Sequence, residues 1–256
     1  MSATTKDRWI DDWNPEDPEL WARSGKRIAR RNLIWSILAE NLGFSVWLIW
    51  SVVATRLPKV GFPYTTEQLF SLVAIPGLVG ALMRFPYTFA VPRFGGRNWT
   101  IASALFLLVP TIALGVLVSR PTTPFPVMLL AAATAGLGGG NFASSMANIS
   151  FFYPDREKGF ALGLNAAGGN IGVSNVQFLV PLVIGLGLAW AGFMWLPLIA
   201  IAAFGAYGFM DNLATAKSNF RDQLAVAKRK HTWVVAWLYV GTFGSVSYTH
   251  LTLPTN

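Results

Sequence analysis

The chain has 256 residues, 53% of them hydrophobic and only 12% charged, with no cysteine and two histidines. An average soluble domain carries about 25% charged residues, so this composition excludes a soluble domain; it also excludes disorder, which needs low hydrophobicity, and the missing cysteines exclude disulfide frameworks and thiolate metal sites. The net charge of +8 would suggest nucleic acid in a soluble protein, but at about 20 apolar residues per membrane helix the length holds six or seven spans, and the distribution of charge then matters more than its sum.

Residues 1–31 are polar and carry Trp9, Trp13 and Trp21. They lack the short apolar core of a signal peptide. Arg23, Lys26, Arg27, Arg30 and Arg31 precede the first apolar stretch and read as a cytoplasmic stop, with the tryptophans expected at headgroup level. Six apolar stretches follow, at 32–54, 68–92, 99–119, 125–150, 160–186 and 188–209, and are predicted as a six-helix transmembrane bundle over 32–209. A polar loop spans 210–231, and a seventh apolar stretch begins at 232. Sixteen basic residues fall on the side of the N-terminus and the 210–231 loop. Three (Arg56, Lys59, Arg120) fall on the other, and one, Arg84, lies within a span. This split obeys the positive-inside rule and places the N-terminus in the cytoplasm. It also removes the case for nucleic acid as a partner and leaves the lipid bilayer.

Arg84 sits about 16 residues into the second stretch, in the run IPGLVGALMRFPYTF. A charge at membrane depth is costly and usually functional, and arginine does not escape by deprotonating. Glu40 is the one acid well within the spans. A permanent cation with so little fixed anion near it suggests a ligand as counter-charge, and the planar fork of arginine suits planar oxyanions. The alternative is a structural pair with Glu40 or snorkelling to an interface. Glycine is dense over 136–172, including Gly136, Gly138, Gly139, Gly140, Gly163, Gly168, Gly169 and Gly172. Such glycines let membrane helices approach closely, for packing or for the sliding that alternating access requires. Asn141, Ser144, Ser145 and Asn148 share a helix face by spacing; they read either as neutral donors to an anion or as interhelical glue. Asn170, among small neighbours, is the candidate ligand contact. His231 and His250 fall outside the six spans and are unconvincing proton carriers. No phosphate-binding loop, nucleophile elbow or metalloprotease motif is present, so no enzyme and no cofactor are expected.

The strings GKRIARRNL at 25–33, IPGLVGALMRFPY at 75–87, GGGNFASSMANISFFYP at 138–154 and KGFALGLNAAGGNIGVSNVQ at 158–177 resemble the nitrate/nitrite porter family of the major facilitator superfamily. The resemblance runs from about residue 20 to about 244. It implies an all-α fold: an N-terminal six-helix bundle of two inverted three-helix units, then the start of a seventh helix at 232–244. It implies nitrate and nitrite as ligands, a bacterial inner-membrane location and a C-terminal half absent from this chain. It also assigns roles. Arg84 matches the substrate-binding arginine, Phe142 an aromatic that sandwiches the planar anion, and Asn170 the signature asparagine. Tyr239 and Phe243 match seventh-helix aromatics. The implied activity is alternating-access transport, with nitrate/nitrite antiport favoured over proton symport, because an empty site would carry an unpaired arginine charge. Residues 245–256 (SVSYTHLTLPTN after Gly244) depart from the family and are expected to be a non-native tail, leaving the chain inactive by itself.

Overall fold

The structure, a computed structural model, describes residues 8–216 and 228–251. Lys6, Lys217, Arg221 and the end of the tail at 252–256 therefore lie outside the described residues. Six helices are long and apolar enough to cross a membrane: α1 (Pro18–Val60), α2 (Thr66–Phe94), α3 (Gly96–Leu117), α4 (Phe125–Phe152), α5 (Asp155–Leu186) and α6 (Trp190–Phe209). Each covers one expected stretch. Their boundaries follow local chemistry. Asp17 caps the start of α1 by accepting from Glu19 N and Leu20 N. Thr65 and Gln68 form a reciprocal capping box at the start of α2, satisfying two N–H groups that the helix itself leaves free.

The six helices form one unit with residues up to Ala216. α1 is its axis: it packs on α4 and α5, and α6 lies against α1 and α3. α2 packs chiefly on α4. The interior is apolar around Leu42, Trp50, Leu107, Met128 and Trp195, all at most 2% exposed. The outer faces are equally apolar, with Phe70 and Leu82 on α2 and Phe160, Phe178 and Leu182 on α5 exposed. Apolar residues on both sides of a helix are the pattern of a bundle set in lipid. Close packing rests on glycine. A Cβ at Gly138 would strike the backbone oxygen of Gly43 on α1, and one at Gly172 the backbone oxygen of Asn41. The other expected packing glycines meet Trp47 (Gly139), Tyr87 (Gly140), Ile37 (Gly168) and Glu40 (Gly169), whereas Gly163 has no neighbour within 4 Å.

The N-terminal segment departs from expectation. Trp13 and Trp21 are not surface anchors but are buried, 7% and 4% exposed. Trp13 Nε1 donates to Phe151 O at 3.0 Å, and its ring meets Phe152 edge-on at 5.7 Å. Trp21 Nε1 donates to Glu157 Oε1 at 3.1 Å, and its ring meets Tyr153 edge-on at 5.7 Å. Burial first, and the Glu157 charge second, push the Tyr153 phenol up to about 12, so it packs as a neutral ring. An indole buries its ring and satisfies one N–H as readily in protein as at a headgroup, which is why composition alone pointed outward. A strand β1 (Trp9–Ile10) pairs in parallel with β2 (Asn212–Leu213), beyond α6. Beside it the buried Asp211 receives Arg31 Nη2 at 2.5 Å, Asn32 Nδ2 at 3.1 Å and, more distantly, Arg8 at 3.7 Å.

Residues from Lys217 onward form a separate unit. It contains α7 (Lys230–Leu251), which runs past the expected boundary at 244. Ser, Tyr and Thr weaken a helix only slightly, and the helix-breaking Pro254 comes later.

Candidate functional site

Arg84 lies half-buried on α2, and three helices build its surroundings. Its guanidinium carbon stands 5.6 Å from the Trp47 ring of α1 and 5.3 Å from the Phe142 ring of α4. Its Nε donates to Gly139 O at 3.4 Å. Cation–π contacts of this kind contribute about 0.5–2 kcal/mol each, more where water is excluded. They hold the cation without neutralising it. Among the described residues no carboxylate oxygen lies within 4.0 Å of the guanidinium. The structural pairing with Glu40 is therefore absent, and most of the five guanidinium donors are left for a ligand.

The position of Trp47 follows from glycine on two helices. A Cβ at Gly80 of α2 or at Gly139 of α4 would run into the indole. With both side chains missing, the ring slides between the helices, and its Nε1 donates to Pro76 O at 2.7 Å. Phe44, one turn earlier on α1, braces both aromatics edge-on, 5.6 Å from Trp47 and 6.0 Å from Phe142. The run Gly138–Gly140 thus has three uses: α1 backbone contact, an indole seat and, through Gly140, a place for the Tyr87 ring. A guanidinium flanked by two aromatic rings can take a planar oxyanion edge-on through paired N–H donors while the rings exclude water from its faces.

The structure brings Arg84 and Phe142 together, as expected, and adds Trp47. No signal singled out Trp47, because 11 tryptophans punctuate this chain; its spacing from Phe44, one turn apart, was the available hint. Asn170 is half-buried on α5, and its Nδ2 donates to Ala166 O at 2.8 Å within the same helix. Among the described residues it makes no hydrogen bond to Arg84. Asn141, Ser144 and Ser145 share a buried face, as their spacing required, but that face surrounds Glu40 on α1. Ser145 Oγ and Asn165 Nδ2 both donate to Glu40 Oε2. Of the four candidates on that face Ser145 alone donates to the acid; Asn141 Nδ2 donates to Ala39 O and Ser144 Oγ to Asn141 O. Tyr239 is an exposed residue of α7, and the side chain of Phe243 lies outside the described residues; both belong to the second unit.

The Major Facilitator Superfamily model matches residues 26–255. The chain is 45% identical over 255 residues to the nitrate/nitrite transporter NarU of Escherichia coli (strain K12), covering 92% of this chain and 55% of that protein. It is 39% identical to the probable nitrate/nitrite antiporter NarK2 of Thermus thermophilus, covering 96% and 60%. It is 25% identical to the nitrite extrusion protein of Bacillus subtilis (strain 168), covering 85% and 55%. The chain spans a little over half the length of these curated relatives. Six membrane-capable helices and a match across most of the chain make it a multi-pass membrane protein. The chain belongs to the Major Facilitator Superfamily and groups there with the nitrate/nitrite porters.

Proposed function

We propose that this chain supplies one half of a carrier that moves nitrate and nitrite across the bacterial inner membrane by alternating access. The observation that carries the reading is the unpaired Arg84 guanidinium set between Trp47 and Phe142. The substrate class comes from relatives named as nitrate/nitrite transporters. Arg84 supplies charge and paired donors, Phe142 and Trp47 flank the anion, and Asn170, Tyr239 and Phe243 are added contacts of the loaded state. The second half of the site comes from a C-terminal six-helix domain. The proposed domains are a cytoplasmic segment 1–31, a bundle 32–209, a cytoplasmic interdomain loop 210–231, the start of a seventh transmembrane helix at 232–244 and a tail 245–256, with helices α1 and α7 extending across the first and last of these boundaries. The N-terminus and the loop lie in the cytoplasm, as the sixteen-to-three distribution of basic residues supports.

Coupling follows from the same residue. An empty site holds an uncompensated arginine, and burying a lone charge during reorientation costs several kcal/mol. The loaded carrier therefore crosses more easily than the empty one, which favours antiport. The experiment is counterflow in proteoliposomes of the two-half protein. Nitrate uptake should require internal nitrite or nitrate; uptake driven by a pH gradient alone, without internal anion, would overturn antiport. Proton symport is the second reading, and the observation in its favour is the buried Glu40 carboxylate.

A further inference from the structure

Glu40 lies fully buried in the middle of α1. Its Oε2 accepts from Ser145 Oγ at 2.5 Å and Asn165 Nδ2 at 2.7 Å. Its Oε1, packed against Gly169, has no hydrogen-bond partner; neither have the buried Asn141 Oδ1 and Asn165 Oδ1. Among the described residues no Lys, Arg or His nitrogen comes within 4.0 Å of the carboxylate. The one charged group among the described residues that acts on it is the Arg84 guanidinium of α2, beyond 4.0 Å; the side chains nearest to it are neutral, Asn141 and Ser145 from α4, Asn165 from α5, and Thr100 and Ser103 from α3. A buried charge is paired, neutralised or bound to a metal.

A cavity of about 10 Å³ lies beside this carboxylate, between α1, α3 and α4. That is the lower limit for one water-sized guest. Its polar lining offers lone pairs. The hydroxyls of Thr100, Ser103 and Ser144 already donate to the backbone oxygens of Gly96, Thr100 and Asn141. Toward the cavity these oxygens can only accept. Asn141, another lining residue, carries an acceptor oxygen without a partner. Hard cations are bound by such carboxylate, hydroxyl and carbonyl oxygens. One carboxylate balances one positive charge, and the small volume favours a small ion.

We propose that this cavity is a sodium site, in which Glu40 supplies the negative charge and the surrounding hydroxyl and amide oxygens complete the coordination shell. The ion ties α1 to α3 and α4. It is separate from the anion site, since Arg84, Trp47 and Phe142 do not line this cavity.

The test is thermal unfolding of the full chain in detergent micelles, with sodium exchanged for potassium or choline at constant ionic strength, together with equilibrium binding of radioactive sodium. Saturating sodium should raise Tm by about 5 °C over choline, with potassium much less effective. Glu40→Gln, checked for helix content by circular dichroism, should lose both the shift and the binding. Ser103→Ala and Thr100→Val keep the charge and should raise the sodium concentration needed for half the shift; they carry the test if Glu40→Gln does not fold. Arg84→Lys should keep the sodium response in full, which separates this site from the anion site. Equal responses to all three cations, or none, would overturn the proposal. So would a Tm that rises with acidification instead of sodium and loses that rise in Glu40→Gln, because the neutralising species is then a proton.

Discussion

Arg84 is set apart by being the one basic residue within the spans, and its environment makes the guanidinium shape matter as much as its charge. Lysine in its place keeps the charge but loses the planar fork and much of the aromatic contact. Arg84→Lys should abolish measurable nitrate binding by isothermal titration while leaving Tm within a few degrees; retained binding would mean the charge alone suffices. Trp47→Phe removes the indole bond to Pro76 O, worth about 1 kcal/mol, and loosens one side of the guanidinium. It should weaken nitrate affinity several-fold with only a small loss of stability. At this scale the sequence was half legible. Arg84 announces itself, because a charge inside an apolar run is costly and narrows the choice to a structural pair, snorkelling or a ligand. Trp47 does not: its importance depends on two glycines, Gly80 and Gly139, on other helices. Asn141, Ser144 and Ser145 were placed correctly on one face, yet spacing within a helix says nothing about which neighbour that face meets.

At the scale of elements, α1, α4 and α5 are locked by glycine contacts of unequal strictness. Gly138→Ala sets a methyl against the α1 backbone at Gly43, which has no side chain to swing aside. It should cost about 1–3 kcal/mol, read as a lower Tm of the chain. Gly163→Ala, with open space around it, should be neutral or stabilise by up to about 1 kcal/mol through helix propensity. If both substitutions behaved alike, glycine density would reflect composition and not close approach. The junction at Asp211 is another element-scale device: it joins α1, through Arg31 and Asn32, and the N-terminal segment, through Arg8, to the chain just past α6. Asp211→Asn should release the N-terminal segment and increase its cleavage by trypsin several-fold before any change in the bundle. Helix positions were readable because a span needs an uninterrupted apolar run. The fate of Trp13 and Trp21 was not, since an indole suits both a lipid interface and a protein interior.

For the whole molecule, membership of the Major Facilitator Superfamily sets the chain among transporters and not among enzymes. Its orientation is open to direct measurement because the chain has no native cysteine. A single cysteine replacing Arg156 should react with an impermeant thiol reagent only from the cytoplasmic side, and one replacing Lys59 only from outside. The reverse pattern would invert the topology. The broad apolar surface of α2 and α5 was legible as composition, but its division among outer and inner faces needed the packing of six helices.

The short pairing of Trp9–Ile10 with Asn212–Leu213 also sets an order of events during biosynthesis. The two partners stand about 200 residues apart, and at the usual 5–20 residues per second of synthesis the first strand waits on the order of ten seconds or more for the second. Through that interval Trp13 is made well before Phe151 and Phe152, and Asp211 is the last arrival at its junction. The leading segment can thus bury its tryptophans once residues 151–157 are made, but its strand pairing and its Asp211 contacts close only after the sixth helix.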